Sequence, residues 1–175
     1  MKKITFLVIS FLLSCSREQY PCSFECRQFY SVSRPDDAQT LSKFPIEIQY
    51  QIYRRGADSM EPPRLELASP IAERGVGAIY FIKRQLESTS DGISVRDNLF
   101  ILQTMQASGF YNVSEDRVLL NAARSACTRV RSSIWAGQCR EFITTIETHR
   151  ESSLTGAKAG GGPAPWALQD RTASA

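Results

Sequence analysis

Three things are scarce in this 175-residue chain, and each scarcity excludes something. Long apolar runs come first. The one candidate, Ile4 to Leu13, covers about ten residues, half of the ~20 that a helix needs to cross ~30 Å of hydrocarbon, so it is not a spanning segment. Histidine comes second: His149 stands alone, and there is no Gly-x-Ser-x-Gly elbow, so the parts of a nucleophile–base–acid triad are not assembled in the sequence. At its place in an expected last helical turn, His149 reads as an exposed cation favoured by the helix dipole. Third is charge of one sign. The chain has 21 Lys and Arg against 18 Asp and Glu. Two of the 21, Lys2 and Lys3, precede the apolar run. Without them 19 basic side chains face 18 acidic ones, a balance of +1, which gives no footprint for nucleic acid.

What the amino terminus does hold is an address. Two lysines, a short apolar run and a small residue, Ser14, have the form of a secretory signal. Leu12-Leu13-Ser14-Cys15 resembles the lipobox of bacterial lipoproteins, although Leu13 is larger than the residue often found there. The resemblance covers residues 1–16 only. It implies cleavage before Cys15, a diacylglycerol on its thiol and a fatty acid such as palmitate on its amine. It also implies a membrane partner reached through that lipid. With Ser16 rather than Asp after the cysteine, the resemblance points to the periplasmic face of the outer membrane in a Gram-negative cell.

Cysteine arithmetic agrees. There are five: Cys15, Cys22, Cys26, Cys127 and Cys139. An odd number in an exported protein leaves one thiol over, and a lipid on Cys15 accounts for it. Zinc is a poor reading of the other four, because the eleven residues between Cys127 and Cys139 exceed the usual spacing of a ligand pair and exported thiols oxidise. Disulfides fit better. A turn at Ser132-Ser133 would place Cys127 and Cys139 opposite each other in a helical hairpin. In one straight helix they would be about 18 Å apart, beyond the ~7 Å limit for a bridge. Cys22–Cys26 follows by elimination, provided that stretch is not helical. The competing connectivity joins both N-terminal cysteines to the hairpin, and it stays open at this point.

The chain divides into a signal (1–14), a lipid-anchored tether (15–32), a helical domain (33–150) and a tail (151–175). The tail's Gly, Ala, Pro and Ser cannot offset their ordering entropy, which predicts disorder. Ala159 to Pro163, "AGGGP", lacks the Lys-Ser/Thr of a phosphate loop and is linker. The expected fold is all-α, an irregular stack of helical hairpins with about five or six helices. In "SVRDNLFILQTMQASG", Ser94 with Asp97 suggests a capping box and Gly109 a stop. Ser114 suggests a cap for a helix carrying Val118, Leu119, Ala122, Ala126 and Val130, followed by one with Ile134, Trp135, Cys139, Phe142, Ile143 and Ile146. Two short helices are expected around Pro70, Gly75 and Gly77. Ile46, Ile48, Tyr50 and Ile52 alternate like a strand, but Pro45 and Gly56 bracket them as helix ends do, so helix is preferred.

No catalytic residue, metal or cofactor is assigned. Asp36, Asp37, Asp91, Asp97, Glu115 and Asp116 are the carboxylates available for acid–base work, and capping accounts for most of them. Arg117, Arg124 and Arg131 recur every seven residues and would line one helix face, a candidate stripe for an acidic partner. Tyr50, Tyr53, Tyr80 and Phe81 are either an aromatic contact surface or core. The function expected is a non-enzymatic, lipid-anchored module that binds a protein of the envelope, an immunity-like inhibitor being one form of it. An envelope hydrolase with a carboxylate site and a small-ligand carrier are the alternatives.

Overall fold

A computed structural model describes residues 22–32 and 37–155, with side chains as far as Thr148. The expected signal segment, Cys15 and Asp36 lie outside these residues, as does the expected tail from residue 156 onward. Among the described residues there is no strand, and the fold is all-α. The helices are α1 (Phe24–Ser31), α2 (Asp37–Leu41), α3 (Ile46–Ser59), α4 (Ser69–Ala72), α5 (Val76–Ser88), α6 (Gly92–Ala107), α7 (Arg117–Arg129) and α8 (Ser133–Thr155). Single 3₁₀ turns precede α4 (Leu65–Ala68) and α7 (Val113–Glu115).

The eight helices among the described residues exceed the five or six expected because α1, α2 and α4 span only one or two turns, too short to display a period. The helix α1 occupies much of the expected tether, where Cys26 and Phe29 join the core. At the other end α8 runs to Thr155, past the expected boundary at residue 150.

The centre is α6, buried on nearly all sides: Val95, Leu99, Ile101, Leu102 and Met105 have no exposed surface. It packs on α8 along its length and also against α3, α4, α5 and α7. Its ends are sharp. Asp91, not Ser94, is the N-cap, accepting from Ser94 N–H at 2.7 Å. Gly109, at φ +70°, makes the stop: Phe110 N–H reaches the Met105 carbonyl at 3.0 Å and Gly109 N–H that of Gln106 at 3.3 Å, a Schellman closure. Likewise α7 is capped by Asp116, which accepts from Leu119 N–H at 2.9 Å, while Ser114 belongs to the preceding 3₁₀ turn.

The 46–59 segment is helical. Pro45 occupies the N-cap position, and Gly56 lies inside α3 beneath Tyr30 rather than at its end. Two faces of α3 divide the molecule. Gln51, Ile52 and Arg55 meet α1: Ser23 N–H donates to Gln51 Oε1 (3.0 Å), Tyr30 O–H to the Ile52 carbonyl (2.5 Å), and Arg55 lies over the Tyr30 ring. Tyr50, Tyr53 and Arg54 face the other way, toward α5 and α6.

Candidate interaction surface

The four described cysteines sit as two pairs at disulfide distance, Cys22 with Cys26 (Cα–Cα 5.3 Å) and Cys127 with Cys139 (5.8 Å). The second pair clamps α7 to α8 across the turn that separates them. The first pair works in spite of a helix. Because α1 begins at Phe24, Cys22 lies just outside it and folds back over Cys26 in the first turn.

The arginine stripe does not assemble. Helix α7 ends at Arg129, so Arg131 lies in the turn beyond it and shares no helix face with Arg117 and Arg124. Arg124 is paired with Glu147 of α8 and bonded to Asn121, whereas Arg117 is exposed at the start of α7. The arginine with the largest structural role here is a different one. Arg129 donates to the carbonyls of Leu86 (2.5 Å) and Thr89 (3.2 Å from Nη2), so its cation sits on the negative end of α5.

That contact fixes the direction of two helices. The C-terminal ends of α5 and α7 meet through Arg129, so the pair runs parallel. Their N-terminal ends are pinned as well. Gly75, at φ +51°, opens α5, and a Cβ there would stand 2.7 Å from the Phe110 carbonyl oxygen, so only glycine fits. The loop after Phe110 is itself braced. Tyr111 O–H donates to Asp116 Oδ2 (2.8 Å), a bond that raises the phenol's pKa, and Ser114 N–H donates to Gln106 Oε1 (2.9 Å).

Large apolar side chains are left outside at this braced end. On α5 the buried row is Ala78, Ile82 and Leu86, and the opposite row carries Val76 (74% exposed) and Tyr80 (77%). On α7, Val118 (62% exposed) lies seven residues before Ser125, which bonds Arg129 on the side turned to α5. Phe110 is also exposed. Arg84 of α5, Arg117 of α7, and Glu73 and Glu115 just before these helices are exposed as well. Large apolar side chains left exposed beside charged ones are a feature of protein-binding surfaces. Of the four aromatics considered as a contact surface, only Tyr80 faces out. Tyr50 and Tyr53 are buried, and Phe81 packs edge-on against Tyr50 at 5.2 Å.

Four of the candidate carboxylates, Asp37, Asp91, Asp97 and Asp116, are held by caps or ion pairs. Asp37 pairs with Arg64 at 2.6 Å. Asp97 has no exposed surface: Arg96 grips its Oδ1 (2.6 and 2.8 Å) and Arg54, also buried, faces its Oδ2 at 3.2 Å. Burial pushes the Asp97 carboxyl above the usual range, against the pull of Arg54 and Arg96. At Asp91 burial also acts upward, but the hydrogen bonds from Ser94 and the nearness of Arg54 hold it below that range. This network joins α3 to α6, and Asp97 is fully buried within it. Among the described residues no group of three His, Cys, Asp or Glu is placed to hold a metal, and no helix is long and apolar enough to cross a membrane. The His149 side chain lies outside the described part. No family model matches the chain, and no match was found among curated proteins or among solved structures.

Proposed function

We propose that this chain is a lipid-anchored protein of the bacterial cell envelope that binds another protein through the N-terminal ends of α5 and α7. The observation that carries the binding reading is the exposure of Val76, Tyr80 and Val118 on one rigidly braced end of the molecule. The anchor rests on the sequence, on Ser14-Cys15 after a signal-like segment. It is supported by the pairing of Cys22 with Cys26 and of Cys127 with Cys139, which leaves Cys15 available for the lipid. Two disulfide-capable pairs also suit an oxidising compartment such as the periplasm. An immunity-like inhibitor is the case in which the bound protein is a toxin or a lytic enzyme.

Labelled fatty acid tests the anchor: wild type should incorporate it and Cys15→Ala should not, and equal label on both would reject Cys15 as the acceptor. The binding surface is tested by the double variant Tyr80→Glu, Val118→Glu. Both positions are solvent-exposed, so thermal stability should stay near wild type. Partner affinity should fall at least about 30-fold, the loss expected for a hot-spot aromatic. Unchanged affinity in a folded double variant would remove this surface from the account.

A further inference from the structure

We infer that the outer face of α1, which begins at Phe24, lies against the lipid bilayer and that the α5/α7 surface therefore points away from the membrane. The inference rests on the proposed lipid at Cys15 and adds an orientation to it.

Reach is the first argument. Cys22 is fixed to α1 through its pairing with Cys26, and Ser23 N–H is held by Gln51 of α3 at 3.0 Å. Only residues 16–21 separate that fixed point from Cys15. Seven residue steps span at most about 25 Å even when fully extended. A domain of about 130 residues has a radius of gyration near 14 Å, and so a width exceeding that reach. The lipid thus excludes orientations that put α1 on the far side of the domain from the bilayer.

The surface on that side is the second argument. Cys26, Phe29 and Tyr30 turn inward, which leaves Phe24, Arg27, Gln28 and Ser31 on the outward face at helical spacing. Phe24 is 67% exposed and Val32, at the helix end, 46%. Rotation cannot bury Phe24, because the Tyr30 bond to the Ile52 carbonyl and the Ser23 bond to Gln51, both to α3, set the roll of α1. Arg27 and the flanking Glu25 offset each other, so the attraction is apolar and should not depend on salt. The third argument is the division of α3. One of its faces holds α1, while Tyr50 on the other meets Phe81 of α5. The exposed row of α5 is thus across α3 from the anchor.

The test uses the full lipidated protein in phosphatidylethanolamine–phosphatidylglycerol vesicles whose acyl chains carry bromine, a short-range quencher of tryptophan. Phe24→Trp and, as a second reporter on the same face, Gln28→Trp should each add emission that is blue-shifted and quenched relative to wild type. High salt should leave that quenching in place. Tyr80→Trp should add emission that is not quenched. If the protein floats with the vesicles while the tryptophans at 24 and 28 are no more quenched than that at 80, the orientation is wrong and the anchor stands. A protein that carries no fatty acid and does not float overturns the anchor, and the inference with it.

Discussion

Replacing Asp97 by leucine should be among the most damaging single changes in this protein, and the reason lies in Arg54. Both side chains are buried, at 0% and 2% exposure, and they face each other at 3.2 Å. Arg96, the other partner, is partly exposed and lies over the Trp135 ring 5.3 Å from its centroid, so it can turn to water when Asp97 is lost. Arg54 has no such exit. Asp91, at 4.0 Å and half exposed, is a weak substitute. Breaking a buried pair on one side costs about 3–5 kcal/mol, because a charge is left in a medium that solvates it poorly. Against a total stability of about 5–15 kcal/mol, that is a large share. The double change Arg54→Met, Asp97→Leu removes both charges and should recover most of the loss, since apolar replacements of buried ion pairs are often neutral or better. Urea unfolding followed by circular dichroism gives both numbers. If Asp97→Leu costs less than about 1 kcal/mol, or if the double variant is no better than the single one, the stability of the fold does not depend on the buried Arg54–Asp97 pair.

Two further outcomes follow from the same structure. Serine at both Cys127 and Cys139 should destabilise the protein by about 3 kcal/mol under oxidising conditions, the loop-entropy value for a short closed loop, and an unchanged urea midpoint would reject the clamp. The Tyr30 phenol, which burial pushes up to about 12 from 10.0 against the pull of Arg64 and Arg55, keeps its proton more firmly when folded than when unfolded. Its contribution to stability is therefore complete below pH 10 and lost as pH rises through about 12, so Tyr30→Phe should flatten the alkaline fall in melting temperature; parallel curves would contradict this.

Much of the fold was legible because its long helices show their period. The glycine stop after α6 and the α7–α8 hairpin followed from spacing, which also favoured Cys127 with Cys139 but left the competing connectivity open. Caps were misread by a few residues: Ser94 and Asp91, or Ser114 and Asp116, are all residues that can cap a helix, and which one leads depends on where the backbone first turns. The arginine stripe failed at Arg131 because nothing between Arg117 and Ser133 is glycine or proline, and the stop after Arg129 comes instead from the turn that the α7–α8 hairpin requires. Charge hid the network. Arg54 is buried and Arg55 exposed, a distinction that depends on which face of α3 meets α6 and not on either residue type. The interaction surface was half visible: Ala78, Ile82 and Leu86 mark one side of α5 at four-residue steps, which puts Val76 and Tyr80 on the other. Val118, by contrast, fits the apolar row of α7 in sequence and yet lies at its exposed edge.

Photo-crosslinking in intact cells tests the central claim most directly. A photoreactive amino acid at position 80 samples whatever rests on the α5/α7 surface, and one at the exposed Arg140 of α8 samples a face outside it. The account predicts a single discrete adduct from position 80, abolished by Val118→Glu, and none from position 140. No adduct at position 80, or the same adducts from both positions, would contradict it.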